Sequence, residues 1–192
     1  MIKILFLAFC LAIADSGYSQ KGSVSIRIET EVGDIRAELD SLHAPVTVAN
    51  FLRYVEGRHF DGGSFYRTVR SDNQPLSPVK IAVIQGSIHP WRENDSFAPI
   101  DLERTNQTGL RHRDGTLSMA RAEPNSATFS FFICVGDQPE LDYAGKRNLD
   151  GQGFAAFGSV TEGMDIVKRI HASRADGQAI MPPVRILRIV RE

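Results

Sequence analysis

SFYRTVR, Ser64 to Arg70, reads as a β-strand with one discordant residue. If side chains alternate, Phe65, Arg67 and Val69 share one face while Tyr66, Thr68 and Arg70 share the other, which sets a guanidinium in the apolar phase. Upstream, VSIRIET (24–30) and DIRAELD (34–40) alternate in the same way, with Glu31, Val32 and Gly33 between them as a hairpin connection. Downstream come KIAVIQG (80–86), TLSMAR (116–121), SFFICV (130–135), FAAFGSV (154–160) and VRILRIV (184–190). Only two segments carry a helical period. Val48, Phe51, Leu52 and Val55 form a stripe between Pro45 and Gly57, and Thr161 can cap a helix lined by Met164, Val167, Ile170 and His171. Eight strands, two separated helices and no regular βα alternation predict a mostly β fold: a closed eight-stranded antiparallel β-barrel capped by two α-helices.

The bulk numbers set limits on function. With 192 residues, 42% hydrophobic, 23% charged and a net charge of -1, the chain is in the ordinary globular range and has no basic block to hold nucleic acid. Residues 1–20, MIKILFLAFCLAIADSGYSQ, have the layout of a signal peptide: Lys3, an apolar run from Ile4 to Ala14, then small Gly17 and Ser19 ahead of the cleavage point. That run is too short to span a bilayer, so no stable membrane insertion is expected. The expected organisation is a signal peptide over 1–20 and one domain over 21–192, exported to the periplasm or secreted, with tethering through the N-terminal segment as the alternative. Cys10 leaves with the signal, and Cys134 is expected to be a small buried hydrophobe.

Most familiar chemistry is missing from the sequence. The histidines at 43, 59, 89, 112 and 171 show no ligand spacing, so no metal or other cofactor is expected. His112-Arg113-Asp114 imitates part of a kinase loop without the accompanying phosphate loop. There is no GxSxG elbow, and although Ser118 or Ser64 could meet a histidine in space, sequence cannot place them together; a hydrolase is disfavoured.

Five motifs in order carry a resemblance: Phe65-Tyr66-Arg67, Gln85-Gly86-Ser87, Leu117-Ser118-Met119-Ala120-Arg121, Ser130-Phe131-Phe132-Ile133 and Ala156-Phe157-Gly158. Together they closely resemble the cyclophilin family of peptidyl-prolyl isomerases, and GDQPELD with RNLDGQGFAAFG looks like the bacterial versions. The resemblance implies a catalytic set of Arg67, Gln85 and Phe132. It also implies substrate-binding roles for Phe65, Val83, Ala120, Arg121, Ser130, Leu141 and Phe154, with Arg67 resting against Phe65. The expected partners are unfolded or extended proline-containing polypeptides, handled by a monomer without a cofactor. The alternative is a proline-peptide binding module or chaperone without turnover; a lipocalin-like carrier would need an open lumen, which the bulky strand interiors oppose. Departures from the family pattern cluster at the pocket. Residues Ser71 to Val79 lengthen one connection, Ala82, Val83, Arg121, Ser130 and Phe154 replace the usual residues, and Glu140 takes the place of a tryptophan that helps many members bind cyclosporin.

Overall fold

The computed structural model describes residues 22–192, so the expected signal peptide lies outside the described residues. In chain order the elements are β1 (Ser23–Thr30), β2 (Gly33–Asp40), α1 (Pro45–Glu56), β3 (Ser64–Val69), β4 (Val83–Ser87), α2 (Thr105–Thr108) and β5 (Thr116–Met119). There follow β6 (Phe131–Cys134), β7 (Ala156–Glu162), α3 (Met164–His171), β8 (Ala175–Asp176) and β9 (Ala179–Arg191). The sheet runs β1-β2-β7-β5-β6-β4-β3-β9, and β9 pairs back onto β1. That last ladder closes an antiparallel barrel of eight strands, leaving β8 as a two-residue flap on β9.

Alternation builds the wall. Ile26 and Ile28 face Ala37 and Ile35 across β1 and β2 and are fully buried, while Arg27 and Arg36 between them face outward. The lumen is filled by side chains. Phe51 is the hub, with ring centroids 5.1 Å from Phe60, 5.4 Å from Phe131 and 5.2 Å from Phe157. Each such ring contributes about 1.5–3 kcal/mol by leaving water.

Phe51 comes from α1, whose buried face also holds Val48, Tyr54 and Val55. The expected stripe differs in one member: Leu52 stays partly exposed, and Tyr54 is buried because its hydroxyl can accept the Phe97 N–H at 2.8 Å. At the Gly33 end of β2, α3 inserts Val167 and Ile170; α1 follows the Asp40 end, so the helices close opposite ends. The cap of α3 is Gly163, not Thr161, which belongs to β7. At Gly163 φ is 88°, and a Cβ would fall 2.4 Å from the Asp34 carbonyl, so a side chain is excluded twice over.

Strand β3 departs from strict alternation. In the β3–β4 ladder Phe65 pairs with Gly86 and Arg67 with Gln85, leaving Tyr66 as an extra residue in a β-bulge. One extra residue shifts the face of everything beyond it. Phe65 therefore points into the lumen, 5.8 Å from Phe131, whereas Arg67 and Val69 lie outside the barrel. The expectation that Arg67 rests against Phe65, and that Phe65 contacts substrate, is overturned.

Candidate active site

Outside the barrel wall, register aligns four residues. Arg67 pairs with Gln85, Gln85 with Phe132 and Phe132 with Ser118, so one row crosses β3, β4, β6 and β5. Phe132 belongs to a second apolar cluster, separate from the lumen, with Val69, Ile81, Val83, Cys134 and Leu141; Ala120 and Phe154 pack on its edge. Of these, Ile81, Val83, Ala120, Phe132, Leu141 and Phe154 floor a pocket of about 220 Å³ whose rim carries Arg67, Gln85, Arg121, Arg147 and Asn148. A separate cleft of about 700 Å³ is larger but contains none of this row and mixes Glu38, Asp40 and Asp114 with Arg111 and Arg113.

Arg67 is fixed by neutral partners. Its Nε and Nη2 donate to Gln178 Oε1 at 2.9 and 2.6 Å, and its Nη1 donates to Gln85 Oε1 at 2.9 Å. Gln85 in turn donates from Nε2 to the Tyr66 hydroxyl at 2.6 Å. Three of the guanidinium's five N–H groups are thus used, and two are unspent. Gln85 uses one donor and one acceptor of its amide within the protein. One N–H and one carbonyl lone pair are left over. Burial raises the Tyr66 pKa, and hydrogen bonding to Ser130, the Arg67 charge and the Gln85 contact only partly oppose it. Tyr66 stays a neutral phenol.

The far wall is braced from behind. Phe132 meets Phe154 edge-on at 5.4 Å and lies parallel to the His112 ring at 5.9 Å. His112 is itself clamped, with Nδ1 2.8 Å from Asp142 Oδ1 and Nε2 2.9 Å from Ser118 Oγ. This is the serine–histidine pairing that sequence could not place. Its geometry imitates a hydrolase triad, but Ser118 is 0% exposed and His112 1%, so no scissile carbonyl can reach the hydroxyl. What the cluster does is fasten the segment bearing Leu141 to β5. Burial by itself would raise the Asp142 pKa; hydrogen bonds from the His112 ring and backbone, with the charges of His112 and Arg111, overcome that and hold it below the usual range. Burial pushes the Cys134 thiol far up, so it stays protonated and inert.

Of the residues singled out by sequence, Arg67, Gln85, Phe132, Val83, Ala120, Arg121, Leu141 and Phe154 line this one pocket. Phe65 and Ser130 do not. Ser130 sits one step away, its hydroxyl 3.3 Å from that of Ser87 and its carbonyl accepting the Ala120 N–H. Arg121 has a buried side chain that donates to Asp150 at 2.7 and 2.9 Å and to the Gly153 carbonyl at 2.8 Å, 5.1 Å over the Phe154 ring. Sequence reading missed Gln178 and Arg147. No local signal marks Gln178, which reaches Arg67 across 111 positions. Among the described residues, no helix is long and apolar enough to cross a membrane, and no group of three or more His, Cys, Asp or Glu is placed to hold a metal ion.

A closed antiparallel barrel with an outer groove, apolar on its floor and guanidinium-lined at its rim, defines a class of protein suited to a compact apolar ring flanked by carbonyls. The family model for cyclophilin type peptidyl-prolyl cis-trans isomerase/CLD matches residues 25–191, and the chain belongs to that family, whose members catalyse prolyl isomerisation. It is 39% identical over 148 residues to peptidyl-prolyl cis-trans isomerase cyp18 of Streptomyces antibioticus, covering 76% of this chain and 82% of that one. It is 33% identical over 147 residues to peptidyl-prolyl cis-trans isomerase B of Escherichia coli K12, with coverage of 76% and 82%. The fold matches a crystal structure of a cyclophilin type isomerase from Cryptosporidium parvum with a TM-score of 0.71 at 22% identity, covering 88% of this chain and 98% of that one. A second structure of that protein, in the presence of the dipeptide Ala-Pro, gives 0.70.

Proposed function

We propose that this chain isomerises X-Pro bonds of unfolded or extended polypeptides with Arg67 as the catalytic donor, after export by the segment over 1–20. The X-Pro bond prefers trans by only about 0.5–1 kcal/mol, but twisting it costs roughly 18–20 kcal/mol because amide resonance is lost. At the twisted geometry the prolyl nitrogen regains a lone pair. A donor placed to meet it there, and not in either planar form, lowers the barrier. The observation that carries this reading is the row Arg67–Gln85–Phe132: it sets two unspent guanidinium N–H groups beside an apolar pocket of about 220 Å³.

Each neighbour has a part in this reading. Phe132, Val83, Leu141 and Phe154 take the proline ring, and the spare N–H and lone pair of Gln85 take the adjoining backbone. Ala120 and Arg121 pair with the extended chain, Ser130 supports them from one step away, and no covalent intermediate forms. The Glu140 carboxylate accepts the Lys146 backbone N–H at 2.8 Å where many relatives offer an indole, so cyclosporin inhibits weakly. Outside the cytoplasm, X-Pro exchange over tens of seconds can limit folding, which gives the enzyme its role there. NMR exchange spectroscopy on an Ala-Pro peptide tests the function. Substoichiometric protein is expected to accelerate cis–trans exchange; peptide binding without acceleration would leave a proline-binding module or chaperone.

A further inference from the structure

The pocket does not end at Arg147. On its other side the same residue, with Lys146 and Leu149, faces the lengthened connection of residues 73–79 across a groove of about 480 Å³. That connection is braced, not loose. Buried Gln74 donates to the carbonyls of Arg70 and Ile81 at 2.7 and 2.8 Å, and Lys80 Nζ donates to the Gln74 carbonyl. From the opposite bank Arg147 Nη1 donates to Gln74 Oε1 at 2.9 Å and to Ser77 Oγ and the Val79 carbonyl, each at 2.7 Å. Gln178 completes the join: it lines the groove, holds Arg67 and donates from Nε2 to the Asn73 carbonyl at 3.1 Å.

The charge in this groove is one-sided. Its lining contains Lys146 and Arg147 and no Asp or Glu. Carboxylates nearby are otherwise engaged: Asp72 with Arg70, Asp150 with Arg121, and Glu140 with the Lys146 backbone. Among the described residues, Arg67, Lys146 and Arg147 form no salt bridge, and the Nε and Nη2 of Arg147 have no hydrogen-bond partner. Arg147 also lines the proline pocket beside Arg67, so two cations without a carboxylate partner share that pocket; the Arg147 pKa is lowered, by burial first and by the Arg67 charge second. Beside them Pro75, Pro78 and the fully exposed side chains of Leu76 and Leu149 offer apolar walls.

We infer that this groove extends the substrate site and selects polypeptides carrying an acidic residue close to the isomerised proline. The inference rests on the isomerase reading above and adds a substrate class to it. One occupant suits both the cations and the continuity with the proline pocket: the flanking stretch of the same chain, its carboxylate on Arg147 and Lys146 and its apolar neighbours on Leu76 and Leu149.

The test is a set of proline peptides with Glu or Gln placed singly at one to three positions on either side of the proline, read by NMR exchange for kcat/KM. At the favoured position Glu is expected to exceed Gln by about fivefold at low salt, and about 0.5 M NaCl brings the ratio close to one. Lys146→Gln and Arg147→Gln each lower that ratio, and Lys146, being exposed, keeps the test clear of any folding defect. Backbone amide signals of 73–79 and 146–149 shift on titration with the Glu peptide. A Glu/Gln ratio near one at every position, with the Gln peptides still turned over, overturns the inference and leaves the isomerase reading standing. No turnover of any peptide removes both.

Discussion

Phe65, Gly86 and Phe131 make one row across β3, β4 and β6; Arg67, Gln85 and Phe132 make the next. The first faces the lumen, where a Cβ on Gly86 would come within 3.0 Å of the Phe131 ring and 3.1 Å of Phe65. The second faces outward, where Arg67 and Gln85 stay partly exposed and Phe132 floors an open pocket. The rows share strands and hydrogen bonds, yet one is closed packing and the other a polar fork over an apolar floor. A barrel wall thus separates stability from chemistry by a single residue, provided the bulge at Tyr66 keeps the two rows out of phase.

Truncating one ring from each row separates their roles. Phe131→Ala is expected to cost about 3–5 kcal/mol in urea unfolding, because the lumen cannot collapse around the void. Phe132→Ala should cost less stability and more turnover. Equal losses in both assays for both variants would erase the distinction between the rows. Gly86→Ala should destabilise by about 1–3 kcal/mol through overpacking against the two rings, again read by urea unfolding.

Gln178→Ala perturbs the outer row alone. It frees Nε and Nη2 of Arg67, so kcat for an Ala-Pro peptide is expected to fall about tenfold with KM little moved, as for a residue that orients a donor. The smallest effect concerns pH. Because the folded pKa of Asp142 is depressed below its ordinary value of 3.8, its stabilising contribution is complete above about pH 5 and drains away as pH falls through the lower folded value. Asp142→Asn should flatten that acid limb of the stability curve in a urea titration across pH 2–5, an interval of about that width around the ordinary carboxylate pKa.

Strand count, antiparallel closure and both main helices were legible because alternation and the i, i+3, i+4 stripe are local patterns. Val24 to Asp40 shows it best: Ile26, Ile28, Ile35, Ala37 and Leu39 are inward, as period two requires. The bulge was not legible. SFYRTVR fits perfect alternation equally well, and only the partner strand shows that Tyr66 is unpaired. The pocket's apolar floor could be named from the family motifs, but Phe65 could not be moved from groove to lumen without the register. Gln178 and Arg147 were silent because their contacts cross 111 and 73 positions respectively, through segments with no periodicity to read.

The direct test of the account is Arg67→Ala, measured for exchange of an Ala-Pro peptide and for urea unfolding in the same buffer. Loss of a preorganised charged donor at the twisted imide predicts a fall in kcat/KM of about 10²- to 10³-fold, with the unfolding midpoint almost unmoved, since Arg67 packs outside the lumen. A variant that turned over at the wild-type rate, or lost rate only in step with lost folding, would contradict it.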